Sequence, residues 1–178
     1  MQLALKQAEK ALGNTGQNPA VGCIIVKNHS VISSGYTGTN GRPHAEIIAI
    51  NEGQNKIKNS CMFVTLEPCS HYGNTPPCVK AIIKKKISKV VFSIKDPDLR
   101  SFNKSIKQFN KNKINVKNGI CSNETTSFYR SYIKFKKSNL PFVTAKIAIS
   151  KDFFTKNRKN KWITNKYSRG RVHLMRSN

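Results

Sequence analysis

A fold that accommodates this chain has to bring three distant side chains to one point. His44 sits in Pro43-His44-Ala45-Glu46, Cys69 follows Pro68 well downstream, and Cys78 comes after a further eight residues rich in Gly and Pro. One imidazole and two thiols in this order can hold zinc, which at catalytic sites takes three protein ligands and leaves a fourth position for water. Water held there ionises near pH 7, so hydroxide becomes available under mild conditions. Glu46 lies two residues beyond His44, near enough to carry a proton to a leaving group without being a ligand. A structural zinc site would call for a fourth protein ligand and would leave Glu46 without a task.

Hydrophobic periodicity places these residues at the ends of elements. Leu3, Ala4, Ala8, Ala11 and Leu12 predict a short amphipathic helix that stops at Gly13, and residues 14–19 form a turn-rich loop. Val21 to Val26 reads as a buried strand paired in a hairpin with Val31 to Tyr36. Gly35, Gly38 and Gly41 then break the chain into a flexible loop that delivers Pro43 and His44. A helix is expected over 45–51, a strand over 62–66, a helix over 79–86 with Cys78 at its opening, and a strand over 89–94 closed by Asp96-Pro97-Asp98. The two ligand-bearing helix starts favour thiolates through their amides and positive ends. A polar helix near 102–110, a short strand at 114–116 and a helix over 124–136 follow, and this alternation predicts an α/β layered sheet. After Pro141 a fresh strand (142–149) and a short strand plus helix (162–175) are expected, too little chain for a separate core. The expected division is a domain over 1–140 and an incomplete second one over 141–178.

Thirty-two Lys and Arg stand against eight Asp and Glu, a formal charge of +24. Such a charge suits nucleic acid, an anionic membrane or a phosphorylated substrate. The lysines are spread along the whole chain together with Asn and Ile, which reads as a compositional bias, and the few carboxylates near motifs gain weight from their scarcity. Five Cys, no secretory signal and no run long enough to span a membrane point to the reducing cytoplasm. Cys23, Cys61 and Cys121 need no role, and the first two fall on expected strands as small apolar residues.

The H-x-E and P-C…C pattern resembles the signature of zinc-dependent base deaminases. Asn18-Pro19-Ala20-Val21-Gly22-Cys23, His44-Ala45-Glu46 and the stretch from Thr65-Leu66-Glu67-Pro68-Cys69 through Ser70-His71-Tyr72-Gly73-Asn74-Thr75-Pro76-Pro77-Cys78 look like the deaminase domain of bacterial bifunctional riboflavin-biosynthesis deaminase/reductases. Most cytidine, guanine and tRNA-adenosine deaminases have two residues between the cysteines; the eight here resemble the riboflavin family's own insert. The resemblance implies a three-layer α/β/α cytidine-deaminase-like fold with a mixed central sheet, followed by an incomplete α/β reductase segment. It implies a hydrolase that removes the 2-amino group of 2,5-diamino-6-ribosylamino-4(3H)-pyrimidinone 5′-phosphate, giving 5-amino-6-(5-phosphoribosylamino)uracil.

Carried over residue by residue, the resemblance makes His44, Cys69 and Cys78 the zinc ligands and Glu46 the proton shuttle, with Asn18 on the pyrimidine and His71 touching substrate. Thr37 stands where the family commonly has His, and Asn74 where it commonly has a basic residue; both positions are expected to contact substrate. Pro141-Phe142-Val143, Trp162-Ile163-Thr164 and Arg171-Val172-His173 look like the opening of the reductase domain, but Ser150-Lys151-Asp152-Phe153 replaces its Ser-Leu-Asp-Gly. NADPH and reduction are not expected of this chain. The partner implied is a small phosphorylated pyrimidine, with no nucleic acid and no membrane, and homo-oligomerisation is a family expectation. The alternatives are a nucleic-acid or nucleoside deaminase and a non-catalytic zinc-binding remnant.

Overall fold

The computed structural model describes residues 1–156 and 162–177; positions 157–161 and 178 of the expected 141–178 segment lie outside the described residues. Two compact units are present, Met1–Pro141 and Phe142–Asn178. In the first, helix α1 (Gln2–Glu9) precedes the hairpin of β1 (Gly22–Lys27) and β2 (Ser30–Tyr36). Helix α2 (Ala45–Gly53) leads to β3 (Cys61–Leu66), which runs antiparallel beside β1. Two crossovers, α3 (Cys78–Lys84) and α4 (Lys104–Lys111), then connect β3 to β4 (Lys89–Ile94) and β4 to β5 (Asn115–Asn118), all parallel. The result is a mixed five-stranded sheet of order β2-β1-β3-β4-β5, the expected α/β architecture.

Two glycines mark the layers on either side of the sheet. A Cβ on Gly22 would stand 1.9 Å from the Ala4 carbonyl oxygen and 2.5 Å from the Ala8 nitrogen of α1. A Cβ on Gly35 would stand 2.3 Å from the Ala45 oxygen and 2.8 Å from the Ala49 nitrogen of α2. Gly35 pairs with Cys23, the neighbour of Gly22, and successive strand residues face opposite ways, so α1 and α2 lie on opposite faces. Gly35 falls both in the expected strand 31–36 and among the glycines expected to open a flexible loop; it lies inside β2, where the missing side chain admits a helix backbone.

On the α2 side, the register stacks Cys23, Val64 and Phe92 in one row and Ile25, Met62 and Val90 in the next. Ala45, Ala49 and Ile50 of α2, Val79 and Ile82 of α3 and Phe109 of α4 close over them to form the main core. On the α1 face, polar side chains are buried as bonded pairs. The Ser93 hydroxyl donates to Thr125 Oγ1 at 2.7 Å, and Tyr129 Oη bonds Thr65 Oγ1 at 2.6 Å while donating to the Ala20 carbonyl at 2.8 Å. The single helix expected over 124–136 is two, α5 (Ser122–Phe128) and α6 (Arg130–Ser138), parted where Tyr129 leaves helical geometry (φ −90°, ψ 12°). Its buried ring is the reason: a polar tip inside the fold must find its partners, and these lie on β3 and before β1.

In the second unit, helix α7 spans Lys166–Ser177, while the strands expected at 142–149 and near Trp162 do not form. A strand needs a neighbour to take its amides and carbonyls, and among the described residues none pairs with these, whose Val143 and Ile147 side chains stand exposed. A turn at 150–154, closed by the Ser150 amide on the Phe154 carbonyl at 2.8 Å, and Arg169 stacked 4.5 Å over the Trp162 ring give this segment its local order. No helix among the described residues is long and apolar enough to cross a membrane.

Candidate metal centre and cavity

The three expected ligands arrive from three places around one end of the sheet. His44 is the residue before α2, Cys69 lies in the loop after β3, and Cys78 is the first residue of α3. His44 Nδ1 stands 3.2 Å from Cys78 Sγ and 3.5 Å from Cys69 Sγ, and all three donor atoms lie within 4.8 Å of one another. The Cys78 amide donates to Cys69 Sγ at 3.2 Å, and the Val79 amide donates to the Cys69 carbonyl at 3.2 Å, so the start of α3 fixes the preceding loop by its free N–H groups.

Hydrogen bonding from the Cys78 thiol, with help from His44 and the Cys78 amide, holds the Cys69 thiol well below its ordinary range, while that same contact and burial push Cys78 up. Metal-bound sulfur is thiolate, so a divalent cation held here would take both cysteines deprotonated. One imidazole nitrogen and two sulfurs converging at this range suit zinc in both softness and number, and a three-ligand set leaves one coordination position open. The zinc-binding motif is therefore assembled as a site, not merely as a sequence pattern.

Glu46, in the first turn of α2, is buried and faces the same cavity. It is not one of the clustered donors. Burial raises its carboxyl above the usual carboxylate range, partly offset by the nearby His44. Glu67 is its opposite: equally buried, but saturated by the Ser105 hydroxyl at 2.6 Å and by the Asn103 and Asp96 amides at 3.2 and 3.3 Å. It ties the end of β3 to the segment before α4.

The cavity has a volume of about 210 Å³ and takes in Asn18, Thr37, His71 and Asn74 as well. Asn18 packs beneath Gly41, with Nδ2 3.4 Å from its carbonyl oxygen. Thr37 is buried, its hydroxyl accepting from the Val21 amide at 2.8 Å and donating to the Pro19 carbonyl at 3.1 Å, so that it holds the 19–21 segment. His71 Nδ1 bonds Ser101 Oγ at 3.0 Å, and Asn74 lies exposed in the 70–77 loop.

Other groups reach the cavity without having been expected there. Asp96 accepts from the Asp98 amide at 2.9 Å and from the Tyr132 hydroxyl at 3.0 Å, and burial lifts its carboxyl to about 6. Asp98 is held below the usual range first by Arg100 and then, against burial, by Lys136. Tyr132 and Lys136 come from α6, and Arg42 from the segment before His44. Scarcity was the available signal: four of the chain's eight acidic residues, Glu46, Glu67, Asp96 and Asp98, line this one cavity.

The family model of the cytidine and deoxycytidylate deaminase zinc-binding region matches residues 1–94. The riboflavin biosynthesis protein RibD of Aquifex aeolicus is 36% identical over 178 residues, covering 99% of this chain and 50% of that protein. The diaminohydroxyphosphoribosylamino-pyrimidine deaminase of Buchnera aphidicola from Schizaphis graminum is 38% identical over 141 residues, covering 79% of this chain and 96% of that protein. The solved deaminase/5-amino-6-(5-phosphoribosylamino)uracil reductase of Thermotoga maritima superposes with a TM-score of 0.92 at 36% identity, over 99% of this chain and 51% of that one. The chain thus spans about half the length of the RibD proteins it matches.

Proposed function

We propose a specific reaction for this chain, which belongs to the cytidine and deoxycytidylate deaminase zinc-binding family and, within it, to the diaminohydroxyphosphoribosylamino-pyrimidine deaminases. The reaction is the hydrolytic loss of the 2-amino group of 2,5-diamino-6-ribosylamino-4(3H)-pyrimidinone 5′-phosphate. The observation that carries it is the juxtaposition, in one cavity, of the His44–Cys69–Cys78 cluster with a buried carboxyl that does not belong to it.

Zinc held by His44, Cys69 and Cys78 would activate a water for attack on the amidine carbon. Glu46 handles the protons. Overall, a C–O bond forms and a C–N bond breaks; one water proton ends on the ring nitrogen and the other leaves on ammonia. A carboxyl lifted by burial can both accept and return a proton during such a transfer, whereas the Glu67 oxygens are already engaged by a hydroxyl and two amides. Asn18 offers the ring an amide at the cavity wall, and His71 closes the side nearest Ser101. Met1–Pro141 is read as the deaminase domain, and the segment that follows as the opening of a reductase-like one.

Ammonia release from this pyrimidine phosphate, measured with and without a strong chelator, tests the reading. Glu46→Gln should retain zinc while kcat falls by about 10²- to 10⁴-fold, the usual range for losing a general acid–base group. Turnover that survives both chelation and Glu46→Gln would sink it.

A further inference from the structure

The cations facing the cavity are unequally paired. Arg100 grips Asp98 twice, Nε to Oδ1 at 2.9 Å and Nη2 to Oδ2 at 2.6 Å, and Lys136 Nζ reaches the same Oδ2 at 2.9 Å. Both are already answered by a carboxylate. Arg42 is not: it is half-buried at the cavity wall, and among the described residues no carboxylate stands within ion-pair distance of it.

Its guanidinium is nevertheless held in place. Arg42 Nη1 donates to the Thr75 hydroxyl, and Nη2 lies 3.7 Å from the point where a Cβ on Gly73 would stand. The side chain is thereby fixed against the 73–75 stretch, with one of its five donors engaged by Thr75. Gly73, Asn74 and Thr75 are neutral, so the charge at this contact comes from Arg42. A planar, pre-positioned fork without a counter-charge, beside a cavity otherwise rich in carboxylates, suits an anion bound bidentately, and phosphate oxygens match that fork.

We propose that Arg42 is the specificity-determining anchor for the 5′-phosphate of the substrate, an assignment that rests on the pyrimidine phosphate reading above. Arg42 then selects phosphorylated over free ribosyl substrates, while the metal cluster and Glu46 act on the ring. Arg100 and Lys136, committed to Asp98, position that loop.

The test uses the full zinc-loaded chain and ribose 5-phosphate as probe, followed by calorimetry or phosphorus NMR. Arg42→Gln should weaken binding by about tenfold to a hundredfold, the scale of charge-assisted hydrogen bonds, and Arg42→Lys by less, because charge remains but the fork is lost. With the pyrimidine substrate, the preference for the phosphorylated over the dephosphorylated form should fall by the same factor, mostly through KM. Zinc content and thermal unfolding of each variant report whether the fold is kept, and Arg42→Lys serves if Arg42→Gln does not fold. Equal ribose 5-phosphate binding by wild type and the variants would overturn the assignment, as would transfer of the whole effect to Arg100→Gln. Arg42-dependent binding in a protein that releases no ammonia would instead remove the deaminase reading and leave the anchor standing.

Discussion

Three buried carboxyls of the cavity wall show how environment, not residue type, sets the chemistry. Glu67 is wired to a hydroxyl and two amides; Glu46 has the cluster for a neighbour; Asp96 lies under Tyr132, with burial outweighing its hydrogen bonds. The folded-state value for Asp96, about 6, stands above the roughly 3.9 of an unfolded chain. Its protonated form is the one the fold favours, so its contribution to stability is fully present below about pH 4 and is lost as pH rises through about 6. Asp98, held down by Arg100 and Lys136, contributes in the opposite sense: its share is present above the ordinary carboxylate range and lost on acidification. Asp96→Asn keeps an acceptor for Tyr132 and removes the titration. Its stability relative to wild type should therefore climb between about pH 4 and 6 and then level off, by on the order of 2 to 3 kcal/mol. Calorimetric unfolding of the two zinc-loaded proteins across that window checks this; a flat difference would place Asp96 in water-like surroundings.

Among the elements, the close approach of helices to the sheet depends on single missing side chains. Gly22→Ala would drive a methyl to 1.9 Å from the Ala4 carbonyl, and backbone atoms yield less readily than a flexible side-chain end. A loss of about 1 to 3 kcal/mol is expected from such overpacking. Denaturant unfolding of the variant measures it, and an unchanged midpoint would show that α1 lifts away freely. The strands at 22–27, 61–66 and 89–94 were legible because their apolar runs are short and bounded by turn residues. The break at Tyr129 was not, since the partners of its hydroxyl, Thr65 and Ala20, are distant in sequence. Nor was the failure of 142–149 to form a strand: the apolar pattern specifies a face, but only a neighbouring strand makes a ladder.

For the whole molecule, the division after Pro141 carries its own prediction. The Buchnera deaminase aligns over 141 residues and is matched over 96% of its length, so a relative of about the first unit's size exists. Among the described residues, the main core draws its members from 23 to 114, and Tyr129 is the last large buried side chain. A chain ending at Pro141 should therefore unfold cooperatively, keep its zinc and release ammonia at the rate of the full chain; loss of zinc or cooperativity on removing 142–178 would refute it. By itself the sequence determined the α/β layering, the hairpin and the identity of the clustered His and two Cys, because each is written in local spacing and in the order of a short motif. Only the tertiary structure decided that Gly35 seats a helix, that Thr37 holds the 19–21 segment, that α6 contributes to the cavity, and that Arg100 and Lys136 are tied to Asp98 while Arg42 meets Thr75. Those features depend on which distant groups share a buried volume, and burial and pairing are properties of the packed chain.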